Sequence, residues 1–296
     1  MAYGSPDSLQ ALPGYLADIR SGRVTTSAVL GGVAGNYEKI GGSSPLLANT
    51  KTQADAIQTS LGTDRFRCYV GMRHFAPWIE ETIREMLDDG ITSAVSIVMA
   101  PHFSSLSIAK YHAHIEAGLD MYRGAIDFKH IESYHDAPGL IEAFAARVVA
   151  TLAEWRSTER PEVHVIFTAH SLPVRVVESG DPYDAQLRET ARLIAARASV
   201  AAEQWSWSYQ SAGRSQEAWL GPQLLEHLES LASEGVRNAV CLPIGFVTDH
   251  VEILYDIDIQ AQIRAKELGI RLIRPPSLNI DPLFIAQLAD LIRERA

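Results

Sequence analysis

The chain has 296 residues, 47% of them hydrophobic and 21% charged, and a formal charge of −10 at neutral pH. That is the balance of a globular protein long enough for two domains with cores of their own, which excludes a disordered or fibrous chain. An acidic chain suits nucleic acid poorly, because that affinity comes from Lys and Arg displacing counterions, so no nucleic-acid partner is expected.

Met1 opens directly on the turn Tyr3-Gly4-Ser5-Pro6, where an α/β protein ordinarily has a buried strand first. A first strand upstream is therefore expected, with the natural product starting about eight to ten residues earlier, since losing an inner strand leaves two backbone ladders unpaired. Strand-type apolar runs follow at 65–70, 94–99, 127–132, 163–168, 204–209, 238–244 and 271–273. They alternate with stretches of helical period at 77–89, 139–155, 183–198, 222–234, 250–268 and 282–295. Such alternation belongs to parallel βαβ units. It predicts an α/β protein of two doubly wound, Rossmann-like parallel-sheet domains with a cleft between them. The turn-rich Asp136-Ala137-Pro138-Gly139 marks the expected boundary, giving domains 1–136 and 137–280, with the last helix, 282–295, returning to pack on the first domain.

Cys68 and Cys241 are the only cysteines, each in an apolar run, which leaves no disulfide framework and no four-cysteine iron–sulfur cluster within the chain. No run approaches the roughly 18 apolar residues of a membrane span, and the start lacks a signal-peptide profile. The expected compartment is the cytoplasm.

Ligands of open α/β sheets gather beyond the carboxyl ends of strands. The run 163–168 delivers His170 to such a place, and 238–244 delivers Gly245 to Glu252. A strand-end histidine titrates near the working pH and serves as a base or metal ligand, or simply bonds a loop carbonyl. Glu252 stands between two readings. Asp249 three residues before it resembles a capping box, whereas Glu252 and Asp256 four residues apart form a carboxylate row suited to protons or a hard cation. His112 and His114 do not share a helix face, and Trp205, Trp207 and Tyr209 form a strand stripe expected in the core. The glycine pairs match neither nucleotide fingerprint, and the Gly-x-Ser-x-Gly elbow is absent.

At these residues the chain resembles the ferrochelatase family. The matching motifs are Met1-Ala2-Tyr3-Gly4-Ser5-Pro6, Ile40-Gly41-Gly42-Ser43-Ser44-Pro45-Leu46 and Ala169-His170-Ser171-Leu172-Pro173, then Gly180-Asp181-Pro182-Tyr183 and Trp219-Leu220-Gly221-Pro222. Pro243-Ile244-Gly245-Phe246 and Asp249-His250-Val251-Glu252-Ile253-Leu254-Tyr255-Asp256 follow in the family's order.

The resemblance implies insertion of Fe²⁺ into a porphyrin, a step of heme biosynthesis, with release of two protons. It makes His170 and Glu252 the catalytic pair, and His170, Glu252 and Asp256 the metal or proton route. Gln260, one turn further, replaces an acidic residue common in such proteins. Tyr3 looks like the tyrosine of the Gram-positive-type enzymes, which implies coproporphyrin III as substrate and coproheme as product. Tyr3, Arg20, Ser44 and Tyr111 are the implied porphyrin-binding residues, the last three holding propionates, while Asn36 replaces a basic residue. Fe²⁺ is a substrate, no resident cofactor is required, and a monomer is expected. The rival readings are a protoporphyrin IX ferrochelatase, a cobalt or nickel tetrapyrrole chelatase, and a non-catalytic tetrapyrrole carrier.

Overall fold

A computed structural model describes residues 1–213 and 217–296. Three helices open the chain: α1 (Leu12–Ile19), α2 (Ser27–Lys39) and α3 (Leu46–Leu61). Thr26 caps α2 by accepting a hydrogen bond from the Val29 amide at 3.4 Å. Helix α2 contains three glycines and buries only Tyr37, so its sequence carries little helical period.

Then come α4 (Ile79–Asp88), β1 (Ser93–Ile97), α5 (Ile108–Tyr122) and β2 (Asp127–Ile131). Ile79, Ile83 and Met86 fall on one face of α4 and pack with Ile108, Ile115 and Val98. Strands β1 and β2 are parallel, paired from Ser93 with Asp127 to Ile97 with Ile131.

The expected strand at 65–70 does not form a ladder. Its polar groups find side-chain partners instead: Gln58 accepts from the Cys68 amide and donates to the Phe66 carbonyl, and the Thr82 hydroxyl donates to the Val70 carbonyl. Just beyond, Met1 and Ala2 act as a strap. The Met1 ammonium donates to the Ile97 carbonyl, the Met99 amide donates to the Met1 carbonyl, and Ala2 bonds Gly71 and Arg73. The His74 amide then donates to the Tyr3 carbonyl, which fixes Tyr3 beside Arg73 and His74.

The second half runs α6 (Pro138–Leu152), β3 (Val163–His170), α7 (Val174–Glu178), α8 (Tyr183–Arg197), β4 (Trp205–Gln210), α9 (Leu224–Ser233) and β5 (Asn238–Pro243). After these come α10 (Val251–Leu254), a π-helical segment Asp256–Ala261, α11 (Gln262–Glu267), β6 (Arg271–Ile273) and α12 (Pro282–Arg295). Strand order is β4-β3-β5-β6, all parallel. Successive side chains of β3 leave opposite faces: Val165, Phe167 and Ala169 enter one core, and Ile166 joins Ala239 and Cys241 in the other. A strand covered on both faces reads as an unbroken apolar run, the signal at 163–168. Burial pushes the Cys241 thiol up to about 12, so it behaves as a small hydrophobe.

The two parallel sheets, each flanked by helices, are the centres of a two-domain α/β protein. Helix α6 packs on α8 and β5. Helix α12, capped by Asp281 at the Leu283 amide, packs on both α3 and α6. The expected single helix at 250–268 is a correction: it is α10, a π segment and α11 in succession. The Gln260 amide reaches back five residues to the Tyr255 carbonyl, and such turns recur at functional sites.

Candidate active site

Strand β3 lies between β4 and β5: the chain passes from β3 to β4 on one side and then crosses back to β5 on the other, so a crevice opens where β3 ends, at His170. The chain leaving β5 at Pro243 folds against this end. A Cβ on Gly245 would lie 2.6 Å from that of Ala169, so only glycine lets the loop pack so closely.

The loop is then pinned through Asp249. Its carboxylate accepts from Ser277 Oγ at 2.8 Å and Asn279 Nδ2 at 2.9 Å, and lies 3.2 Å from the Arg274 guanidinium. Arg274 in turn forks onto Asp258 at 2.6 and 2.7 Å. Asp249 is therefore no helix cap. The N-cap position of α10 belongs to His250, in extended backbone and without a side-chain cap bond. This overturns the capping-box reading of Glu252, whose carboxylate faces two imidazoles instead.

Glu252 Oε1 lies 3.8 Å from His170 Nε2, and Oε2 lies 3.6 Å from His250 Nε2. Both histidines are held from behind. His170 Nδ1 bonds the Ser171 carbonyl at 2.5 Å and His250 Nδ1 bonds the Thr248 carbonyl at 3.0 Å. A carbonyl only accepts, so each Nδ1 carries the hydrogen, and each Nε2 is left facing Glu252. Burial alone would raise the Glu252 carboxyl, but His170 and His250 outweigh it and hold it at about 2. Glu252 is thus ionised throughout the neutral range.

Asp256 lies one turn behind, where the Ser211 hydroxyl donates to its carboxylate. Burial, reinforced by the charge of Glu252, pushes it up to about 6 against the pull of Ser211 and the two histidines. Among the described residues no three His, Cys, Asp or Glu side chains converge as a metal cage. His170, Glu252 and Asp256 are close enough for their charges to act on one another.

His170, His250 and Glu252 line a cavity of about 300 Å³ between the two domains, whereas Asp256 is not part of its lining. Tyr3, Ser44 and Tyr111 of the first domain line it opposite His170 and Glu252. Tyr3 is 42% exposed and tilted on the His74 ring at 4.5 Å, while Tyr111 is buried and Ser44 Oγ accepts from the Leu46 amide. Arg20 is not brought to this wall. It follows Ile19 at the end of α1, and its guanidinium donates to the Val24 carbonyl at 3.2 Å.

A second cavity of about 380 Å³ lies between residues 65–71 and β1, but no His, Asp or Glu lines it, so the chemistry belongs to the first. Trp207 and Tyr209 pack in the main core. His112 stacks on His130 at 4.0 Å, while His114 bonds Glu80 at 2.6 Å, so the two histidines have separate surroundings.

Sequence reasoning passed over His250, Arg73 and His74, all of which line the cleft cavity. Helical spacing separates residues two apart, whereas His250 precedes the helix in extended backbone and so reaches the same carboxylate as the helix carries. The strand-end rule applied to 65–70 would have found Arg73 and His74.

A family model described as Ferrochelatase matches residues 1–296. A curated Ferrochelatase of Deinococcus radiodurans is 57% identical over 298 residues, covering all of this chain and 94% of the relative. A Coproporphyrin III ferrochelatase of a Geobacillus species is 38% identical over 300 residues, covering all of this chain and 96% of the relative. The solved sirohydrochlorin chelatase SirB of Bacillus subtilis subspecies spizizenii, in complex with cobalt, superposes with a TM-score of 0.60 at 10% identity, covering 84% and 88% of the two chains. At that identity the likeness concerns the fold. Among the described residues no helix is long and apolar enough to cross a membrane.

Proposed function

The chain belongs to the ferrochelatase family and is a metal chelatase, and from that premise we propose that it inserts Fe²⁺ into coproporphyrin III to give coproheme. The observation that carries this reading is the arrangement of His170 Nε2 beside the ionised Glu252, across one cavity from Tyr3. Insertion removes two pyrrole protons as one Fe²⁺ enters. His170 Nε2, free of other bonds, is the base that takes a pyrrole proton. Glu252 stays charged at neutral pH, which suits drawing a hard divalent cation and stabilising the His170 imidazolium. Asp256, at about 6, is matched to receive protons near neutrality. Binding of the remote propionates offsets the strain of bending the ring, roughly 1–5 kcal/mol.

The polar wall of Tyr3, Ser44 and Tyr111 supports coproporphyrin III, which carries propionates where protoporphyrin IX has two vinyl groups. The proposed state is a monomer, and the proposed compartment is the cytoplasm. Anaerobic mixing with Fe²⁺ and either porphyrin, followed by absorbance, tests the reading. A higher kcat/KM is expected with coproporphyrin III, and the reverse order would refute the assignment.

Asp256 gives a prediction with a definite sign. Its folded pKa lies above the ordinary value of 3.8, so its contribution to stability is complete below about 4 and is lost as pH rises through 6. Asp256→Asn, which mimics the protonated acid, should therefore melt higher than the parent at pH 8, by on the order of 1–2 kcal/mol. That advantage should shrink at pH 5, and thermal melts at the two values check it. Iron insertion by the parent should decline as pH falls through about 6.

A further inference from the structure

We propose that Arg73 is a specificity-determining residue that anchors a carboxylate arm of the porphyrin, an inference that rests on the porphyrin reading above. Among the described residues it is the only Lys or Arg lining the cleft cavity. Its backbone amide is held by the Ala2 carbonyl at 3.0 Å, next to Tyr3. The guanidinium sits between two aromatic rings, 5.9 Å from that of Tyr3 and 5.7 Å from that of Tyr111.

One donor is spent: Nη1 bonds the Leu106 carbonyl at 3.1 Å. Nε is buried with no partner, and no carboxylate pairs with Arg73 among the described residues. The nearby acids are engaged elsewhere, Asp18 with His74 at 2.6 Å and Glu252 with the two histidines.

Arg73 is half-buried, its Nε shut off from water and its charge without a counter-ion, which two tyrosine faces compensate only in part. Its remaining donors form a planar fork whose natural complement is a carboxylate. Arg20, the cation expected there from sequence, instead turns to Val24. The cleft therefore supplies its positive charge at Arg73, between the two tyrosines already placed at the porphyrin.

Fluorescence titration of metal-free coproporphyrin III tests this without requiring turnover. Arg73→Ala should weaken binding about 10- to 100-fold, the usual loss for a charge-assisted hydrogen bond. Arg73→Gln, which keeps a donor for Leu106 but has no charge, should lose nearly as much, and Arg73→Lys should recover part. In steady-state assays the loss should fall on KM rather than kcat. With the tetramethyl ester of coproporphyrin, which has no carboxylate, parent and variants should bind alike. Unchanged affinity in folded Arg73→Gln, or an equal loss with the ester, would overturn the anchor while the porphyrin reading stands. A parent protein that binds no porphyrin would refute both. One that binds but inserts no iron would refute the chemistry and leave the anchor in place.

Discussion

Glu252→Gln should lower iron insertion by about 10²-fold or more while leaving the fold intact, the usual scale for losing an acid–base or metal-steering carboxylate. Gln keeps the size and hydrogen-bonding ability of Glu but removes the charge set between His170 and His250 at 3.8 and 3.6 Å. No helix cap is lost, because the N-cap position is His250 and Asp249 is committed to Arg274, Ser277 and Asn279. The depressed carboxyl contributes stability above its ordinary value of 4.5, lost only as pH falls through about 2. At neutral pH the change therefore costs something, but a group with a third of its side chain exposed is screened, and melting should drop by no more than a few degrees. Porphyrin affinity, read by fluorescence, should stay near that of the parent. Near-normal iron insertion by folded Glu252→Gln protein would refute the assignment.

His170→Ala should abolish most turnover, by a factor at least as large. Its Nδ1 is committed to the Ser171 carbonyl, so the ring presents one reactive nitrogen to the cleft, and alanine leaves none. The side chain is about one-third exposed at the end of β3, so removing it opens no sealed core, and stability should change little. If His170 and Glu252 act as a unit, the double variant His170→Ala/Glu252→Gln should be little worse than the poorer single one. Losses that multiply would instead show two independent contributions. Single-turnover absorbance with preformed porphyrin complex separates these outcomes from effects on binding.

Much of this protein was legible in its sequence. Local period and strand-end position are properties of short segments, so β1 to β6, α12 and the half-buried His170 at a strand end could be read from neighbouring residues alone. The family motifs at Tyr3, His170 and Glu252 likewise implied the iron-inserting chemistry now supported by full-length relatives. What tertiary structure decided depends on partners far apart in the chain. Residues 65–70 have strand composition, yet Gln58 and Thr82 take their polar groups, so composition alone overstated the ladder. Asp249 has the sequence position of a cap, but Arg274, Ser277 and Asn279, some 25 to 30 residues on, claim its carboxylate and free Glu252 for the cleft. Arg20 and Arg73 are equally basic in sequence. Only the fold turns one toward Val24 and sets the other between Tyr3 and Tyr111, because which side of a wall a cation faces is fixed by the strap of Met1 and Ala2 and not by its own neighbours.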